Sequence, residues 1–364
     1  MKIKIFILLV FILPGILHGQ DVTNKQFYFN SVNFRVNGGA ILPHDDTLKP
    51  LKKGNIHELE VNVTLNTTGS KEWHKLYGHP SVGISAKYIN LSNHSALGHS
   101  VGVFPFIAFY PIQKNHFYAN IQLGIGIAYV TRKYSATDNP ENVAISSPVN
   151  FMGDIHVGIG YKLSENIDLT AGVNATHLSN GAAKKPNYGL NMGSLGVGVN
   201  YKFNAARSTV GVKYTPKNLT SYKLISVSAA VKEAGDAGGP RYYPITVQAA
   251  YLKPLEKYID IGASLDVIYD KSARYDIRKK NKTYRSPNDD FSVGTAARFQ
   301  LPLDKLSAFG EVGIYLYKPN PRSKLMYQRI GLNYRLAKNL SAVVALKTHL
   351  NVADHVDWGM AIVI

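Results

Sequence analysis

From Leu195 the chain reads Leu195, Val197, Val199, Tyr201 and Phe203 at every second position, with Gly196, Gly198, Asn200 and Lys202 between them. Successive side chains of a strand point to opposite faces, so a period of two makes one greasy side and one small or polar side. The pattern recurs along the chain. Phe117 to Tyr129 and Phe151 to Tyr161 obey it in the first half, and Ile259 to Tyr269 and Val356 to Ile364 in the second. Such a sequence builds β-sheet and little else.

Two architectures use this alternation: a water-soluble sandwich with its apolar faces inside, and a membrane barrel with its apolar faces turned to lipid. The strand ends favour the barrel. Tyr161, Tyr201, Phe203, Tyr269, Tyr315 and Tyr317 stand where an aromatic girdle would meet lipid headgroups. Short turns such as 113–115, 164–166 and 337–339 alternate with long polar loops at 132–147 and 271–289, giving one rim of each kind. The expected fold is therefore all-β, a transmembrane antiparallel barrel of the outer-membrane type with about 12 to 16 strands. A single barrel is favoured over an eight-stranded barrel with a second β-unit, because the alternation resumes unchanged after a polar linker at 204–220. On this reading residues 20–203 carry the first strands and 221–364 complete the same barrel.

The N-terminus reads as an export signal, with Lys2 and Lys4 ahead of an apolar stretch from Ile5 to Leu17, and residues 1–19 are expected to be removed. Their removal takes two lysines and no acid from a net charge of +17 and leaves +15. For an exported chain the partner implied is anionic lipid rather than nucleic acid. With no cysteine, disulfide scaffolds and thiolate metal sites are excluded, and 45% apolar residues exclude disorder. Zinc-ligand spacings and phosphate-cradling loops are missing, so no cofactor or metal is expected.

Chemistry concentrates in Asn174-Ala175-Thr176-His177-Leu178-Ser179-Asn180-Gly181. Ile167, Leu169, Ala171, Val173 and Ala175 form the apolar face of the strand entering it, and the same phase puts His177 and Ser179 where lipid should be. Residues i and i+2 lie roughly 7 Å apart and point the same way, so an imidazole can approach the serine hydroxyl. The next strand is also in odd phase. If the two pair as a hairpin, Asn191 reaches the far nitrogen of His177. Asn180 and Gly181 are candidates to hold the oxyanion. Lys184 and Lys185 fit a substrate phosphate or a solvated loop equally well. The echo Lys347-Thr348-His349-Leu350-Asn351 has the opposite phase, with His349 facing the lumen and Asp354 or Asp357 as its expected contact.

The stretch resembles the outer-membrane lipid A 3-O-deacylases of the PagL type, also known as acyloxyacyl hydrolases, through His177-Leu178-Ser179-Asn180, Lys185-Pro186-Asn187 and Gly189. The resemblance covers roughly residues 25–203. It implies Ser179 as nucleophile, His177 as general base and Asn180 in the oxyanion hole, with lipid A as substrate. Asn191 departs from the family, whose best-known members carry glutamate at that position. Either the amide serves as a weaker orienting group, or a loop acid such as Asp138 or Glu141 takes the role, or activity is reduced. The competing readings are a phospholipase with the same nucleophile and a non-catalytic porin with a wide aqueous lumen.

Overall fold

The computed structural model describes residues 29–203, 219–256, 259–279, 283–284, 286–319, 324–350 and 352–364. The expected signal at 1–19 and most of the linker at 204–220 lie outside them. The sixteen long strands among the described residues are antiparallel and form two closed barrels. The first comprises β1 (Ser31–Ile41), β2 (Asn55–Asn66), β3 (Ser81–Asn90), β4 (His99–Lys114), β5 (Phe117–Val130), β6 (Val149–Lys162), β7 (Ile167–Ser179) and β8 (Leu190–Lys202). The second comprises β9 (Tyr222–Ala229), β12 (Ile245–Glu256), β13 (Ile259–Tyr269), β14 (Phe291–Leu303), β15 (Leu306–Tyr317), β16 (Met326–Arg335), β17 (Leu340–His349) and β18 (Val352–Val363). A short hairpin, β10 (Lys232–Glu233) with β11 (Arg241–Tyr242), stands on the rim of the second barrel. No helix among the described residues is long enough and apolar enough to cross a membrane; the crossing elements are strands.

The expectation of one barrel is corrected here. β8 spends one edge on β7 and the other on β1, with Ser31 opposite Lys202 and Ile41 opposite Met192. No edge remains for β9, which closes with β18 and β12 instead. Alternation along a strand is the same in a barrel of eight or sixteen, so it carries no information on where the sheet closes.

The outer face is apolar. Leu195 and Val197 are 67% and 65% exposed, and Ile330 70%, whereas Lys87 is 1% and Arg329 3% exposed. This inversion of the soluble pattern is stable only where lipid covers the outside. Tyr161, Tyr201, Phe203 and Tyr317 lie outward near strand ends, as a girdle requires. Tyr315 does not. It turns inward in the same phase as the buried Glu311 and Gly313, and its hydroxyl lies 2.9 Å from His349 Nε2; the register shift between Val293 and Gly294 comes after it and turns Tyr317 outward.

Each interior is packed with paired charges. In the first barrel Arg35 meets Glu60 at 2.7 Å, while Lys87 contacts Glu60 at 3.1 Å and also pairs with Asp154. The second holds Arg298 with Glu311 at 2.8 Å and Arg329 with Asp357 at 2.7 Å. An eight-stranded barrel is just wide enough for side chains to fill it, and these do. His349 lies in this second interior, 3.9 Å from Asp354; Asn351 is outside the described residues.

The barrels stand side by side with their long-loop rims at the same end. Lys71 meets Asp304 at 2.6 Å and Tyr77 donates to the Pro302 carbonyl at 3.2 Å at the opposite rim. Higher up, the rings of Phe151 and Trp358 lie 6.1 Å apart.

Candidate active site

β7 and β8 pair with His177 directly opposite Asn191. Both side chains project outward, and His177 Nδ1 lies 2.6 Å from Asn191 Oδ1. The two residues that phase alone put on one face are thus brought into contact. Asp138 and Glu141 are not: Asp138 accepts from Ser135 Oγ at 3.0 Å and Glu141 is exposed on the 131–148 loop.

Ser179 ends β7 in outward phase, but it is only 6% exposed. The loop that follows folds back over it. Gly181 and Gly189 turn this loop with φ of +62° and +76°, a region that suits glycine. A Cβ at Gly189 would lie 2.9 Å from His177 Cε1 and 3.4 Å from Ser179 Cβ, so the bare glycine is what lets imidazole and serine share this corner. The loop is pinned from its far side, where Gly189 N–H donates to the Ala144 carbonyl at 3.0 Å.

Asn180 is occupied. Its Nδ2 donates to Ser146 Oγ and to the Lys184 carbonyl, both at 3.0 Å, and its backbone N–H donates to Asn187 Oδ1 at 3.0 Å. The side chain expected in the oxyanion hole therefore braces the loop. The donors left over are Asn187 Nδ2, buried with no acceptor, and the Gly181 N–H, which donates to none of the described residues. Asn187 belongs to the Lys-Pro-Asn motif but had no role on sequence grounds; an amide two residues beyond Lys185 gives no sign of which group it will meet.

The second barrel reaches this loop. Glu233 N–H donates to the Ala182 carbonyl at 3.2 Å, and Glu233 Oε2 accepts from Lys185 N–H at 3.3 Å. Lys185 Nζ donates to the Gly235 carbonyl at 2.9 Å. A Cβ at Gly181 would collide with Val356 of β18. His44, in the loop after β1, was also missed: its Nδ1 lies 3.0 Å from Asn191 Nδ2. Among the described residues no three His, Asp or Glu side chains gather as a metal site.

Two family descriptions match the chain one after the other: lipid A 3-O-deacylase (PagL) over residues 57–200, and the acyloxyacyl hydrolase C-terminal domain of PagL over 218–364. The chain belongs to the PagL family, in a form with two domains. The boundary between the two matches falls where the first barrel ends and the second begins. Similar solved structures include the outer-membrane enzyme PagL, 19% identical, covering 46% of this chain and 97% of that one at a TM-score of 0.32. Another is Neisserial surface protein A, 11% identical, covering 48% and 96% at a TM-score of 0.34. No curated protein matches.

Proposed function

We propose that this PagL-family barrel is an outer-membrane esterase that removes an ester-linked acyl chain from lipid A, with Ser179 as nucleophile and His177 as general base. The observation that carries the reading is the 2.6 Å contact of His177 Nδ1 with Asn191 Oδ1 beside Ser179, on a face otherwise made of lipid-facing side chains. If Asn191 accepts the Nδ1 proton, Nε2 is free to take the proton of Ser179. Oγ then bonds to the acyl carbonyl carbon and the carbonyl electron pair moves to oxygen. Asn187 Nδ2 and the Gly181 N–H are the donors available to that oxyanion. Collapse breaks the bond to the sugar oxygen, which takes the proton from His177 and leaves as a hydroxyl, and water repeats the sequence to release the fatty acid. An apolar outer face beside the serine suits a substrate whose acyl chains already lie in the bilayer. Export through removal of residues 1–19 completes the proposal.

The packed interiors speak against the porin reading, since Arg35, Lys87, Arg298 and Arg329 occupy the lumens with their partners. The test is mass spectrometry of lipid A incubated with purified protein. Wild type should yield lipid A lighter by one acyl chain together with free fatty acid, and Ser179→Ala should yield neither. Unchanged lipid A with single-channel conductance in planar bilayers would favour the porin, and loss of acyl chains from phospholipid alone would make it a phospholipase.

A further inference from the structure

An amide is an ambivalent third member for a serine–histidine pair. Its oxygen accepts and its nitrogen donates, and either end can bond an imidazole Nδ1. The consequences are opposite. The oxygen requires a proton on Nδ1 and leaves Nε2 bare, ready to receive the serine proton. The nitrogen requires a bare Nδ1, which puts the proton on Nε2 and leaves no base. A carboxylate offers no such choice, so replacing it by asparagine creates a need to hold the amide one way round.

We propose that His44 meets this need: as the Nε2–H tautomer it is a positioning residue that takes the donor end of Asn191, so that the acceptor end faces His177. The inference rests on the serine–histidine reading given above. Asn191 Nδ2 lies 3.0 Å from His44 Nδ1 and Asn191 Oδ1 lies 2.6 Å from His177 Nδ1. The amide is held at both ends. Because Nδ2 only donates, His44 Nδ1 accepts and its proton sits on Nε2. His177 therefore carries its own proton on Nδ1.

The loop around His44 is fixed on both sides. Leu42 N–H donates to the Asn191 carbonyl at 2.8 Å, carrying the β1–β8 pairing one step beyond Ile41, so the backbone reaches Asn191 before the histidine is reached. Beyond it, Asp45 accepts from Thr47 N–H at 2.9 Å and from Thr47 Oγ1 at 2.7 Å, capping a short 3-10 turn at 46–51. Leu48 and Leu51 anchor that turn, each 1% exposed. His44 itself is exposed at the rim, where an imidazole gains nothing from packing.

When Ser179 gives its proton to His177 Nε2, Nδ1–H stays with Asn191 and the ring becomes positive. The bond to Oδ1 then strengthens, and polarisation of the amide strengthens the bond from Nδ2 to His44 in turn. A chain of two neutral groups so takes over part of what a carboxylate does.

The test is a cycle on the full-length protein, with kcat and KM measured on lipid A for His44→Ala and His44→Gln, and for His44→Ala combined with Asn191→Glu. His44→Ala should lower kcat at least tenfold with KM nearly unchanged. His44→Gln should recover much of it, since its side-chain oxygen can accept from Asn191. Combined with Asn191→Glu, which has no donor end to hold, His44→Ala should cost less than twofold. An equal loss in both backgrounds, a rise in KM without loss of kcat, or no recovery with glutamine would each overturn the proposal. Ser179→Ala is read alongside: if it keeps wild-type activity, the serine–histidine reading has failed, whereas its inactivity with an indifferent His44→Ala means that only the role of His44 has.

Discussion

In the proposed mechanism Asn191 is the residue on which the chemistry turns. In serine–histidine–aspartate enzymes, changing the acid to its amide costs about 10⁴ in kcat, mainly by giving histidine the wrong tautomer. Here His44 holds the amide by its nitrogen, so the tautomer is already right and only the missing negative charge remains to be regained. Asn191→Glu should therefore raise kcat at neutral pH by about tenfold, or ~1.4 kcal/mol, rather than by four orders of magnitude. A rise near 10⁴ in the rate of fatty acid release would mean that the native tautomer is wrong. Gly189 makes the opposite kind of claim. A methyl group there would lie 2.9 Å from His177 Cε1, on a backbone with φ of +76°. Gly189→Ala should lower kcat by about 10²-fold, as a displacement near 1 Å does, while the barrel still migrates as a folded, heat-modifiable band in gels. Full activity would show that the ring has room that the geometry denies it.

At the scale of the strand, inside and outside are set by phase, and this much was legible in the sequence. Odd-numbered residues of β7 were expected outward, and Val173, Ala175 and His177 are exposed while Asn174 and Thr176 are buried. The phase also put Asn191 on the face of His177, because a hairpin preserves it. What phase could not give was closure, and hence the state of the lumen. Asn174 would meet water only in a wet lumen, and instead its Oδ1 accepts from His156 Nδ1 at 2.9 Å in a packed interior. A cysteine introduced at Val173 or Ala175 should react with lipid-phase thiol probes, and one at Asn174 with neither lipid-phase nor water-soluble reagents. Rapid labelling at 174 by a water-soluble reagent would mean an open lumen. Nor could phase give the loops. His44 lies 147 positions from Asn191 in a segment without periodicity, and the bonds that occupy Asn180 join residues whose order carries no repeat. The interior pairs make a stability prediction of their own. Lys87→Ala leaves Asp154 buried without its cation and Glu60 with Arg35 alone, and should cost about 3–5 kcal/mol in urea unfolding of the barrel in detergent. A cost under 1 kcal/mol would mean that water reaches them.

For the whole molecule, the question is what a second barrel adds to one that already closes. Its hairpin supplies Glu233, 2% exposed, which holds the 180–189 loop through Ala182 and Lys185 while accepting from Gly238 and Gly239 N–H at 2.6 and 3.1 Å. Glu233→Ala should lower kcat several-fold without changing the unfolding of the first barrel, as a brace on the loop requires. A chain ending at Phe203 should still close, since β8 pairs with β1, but should show the same loss. If it matches full-length activity, the second barrel has no part in the site. The central claim, that a serine on the lipid side of the first barrel is activated by its neighbouring histidine, is tested most directly by covalent capture. The full-length protein in lipid vesicles would be treated with a long-chain alkyl fluorophosphonate and digested, and its peptides mapped by mass spectrometry. The account predicts one adduct, on Ser179, that fails to form in His177→Ala; an adduct on another residue, or undiminished labelling of Ser179 in His177→Ala, would contradict it.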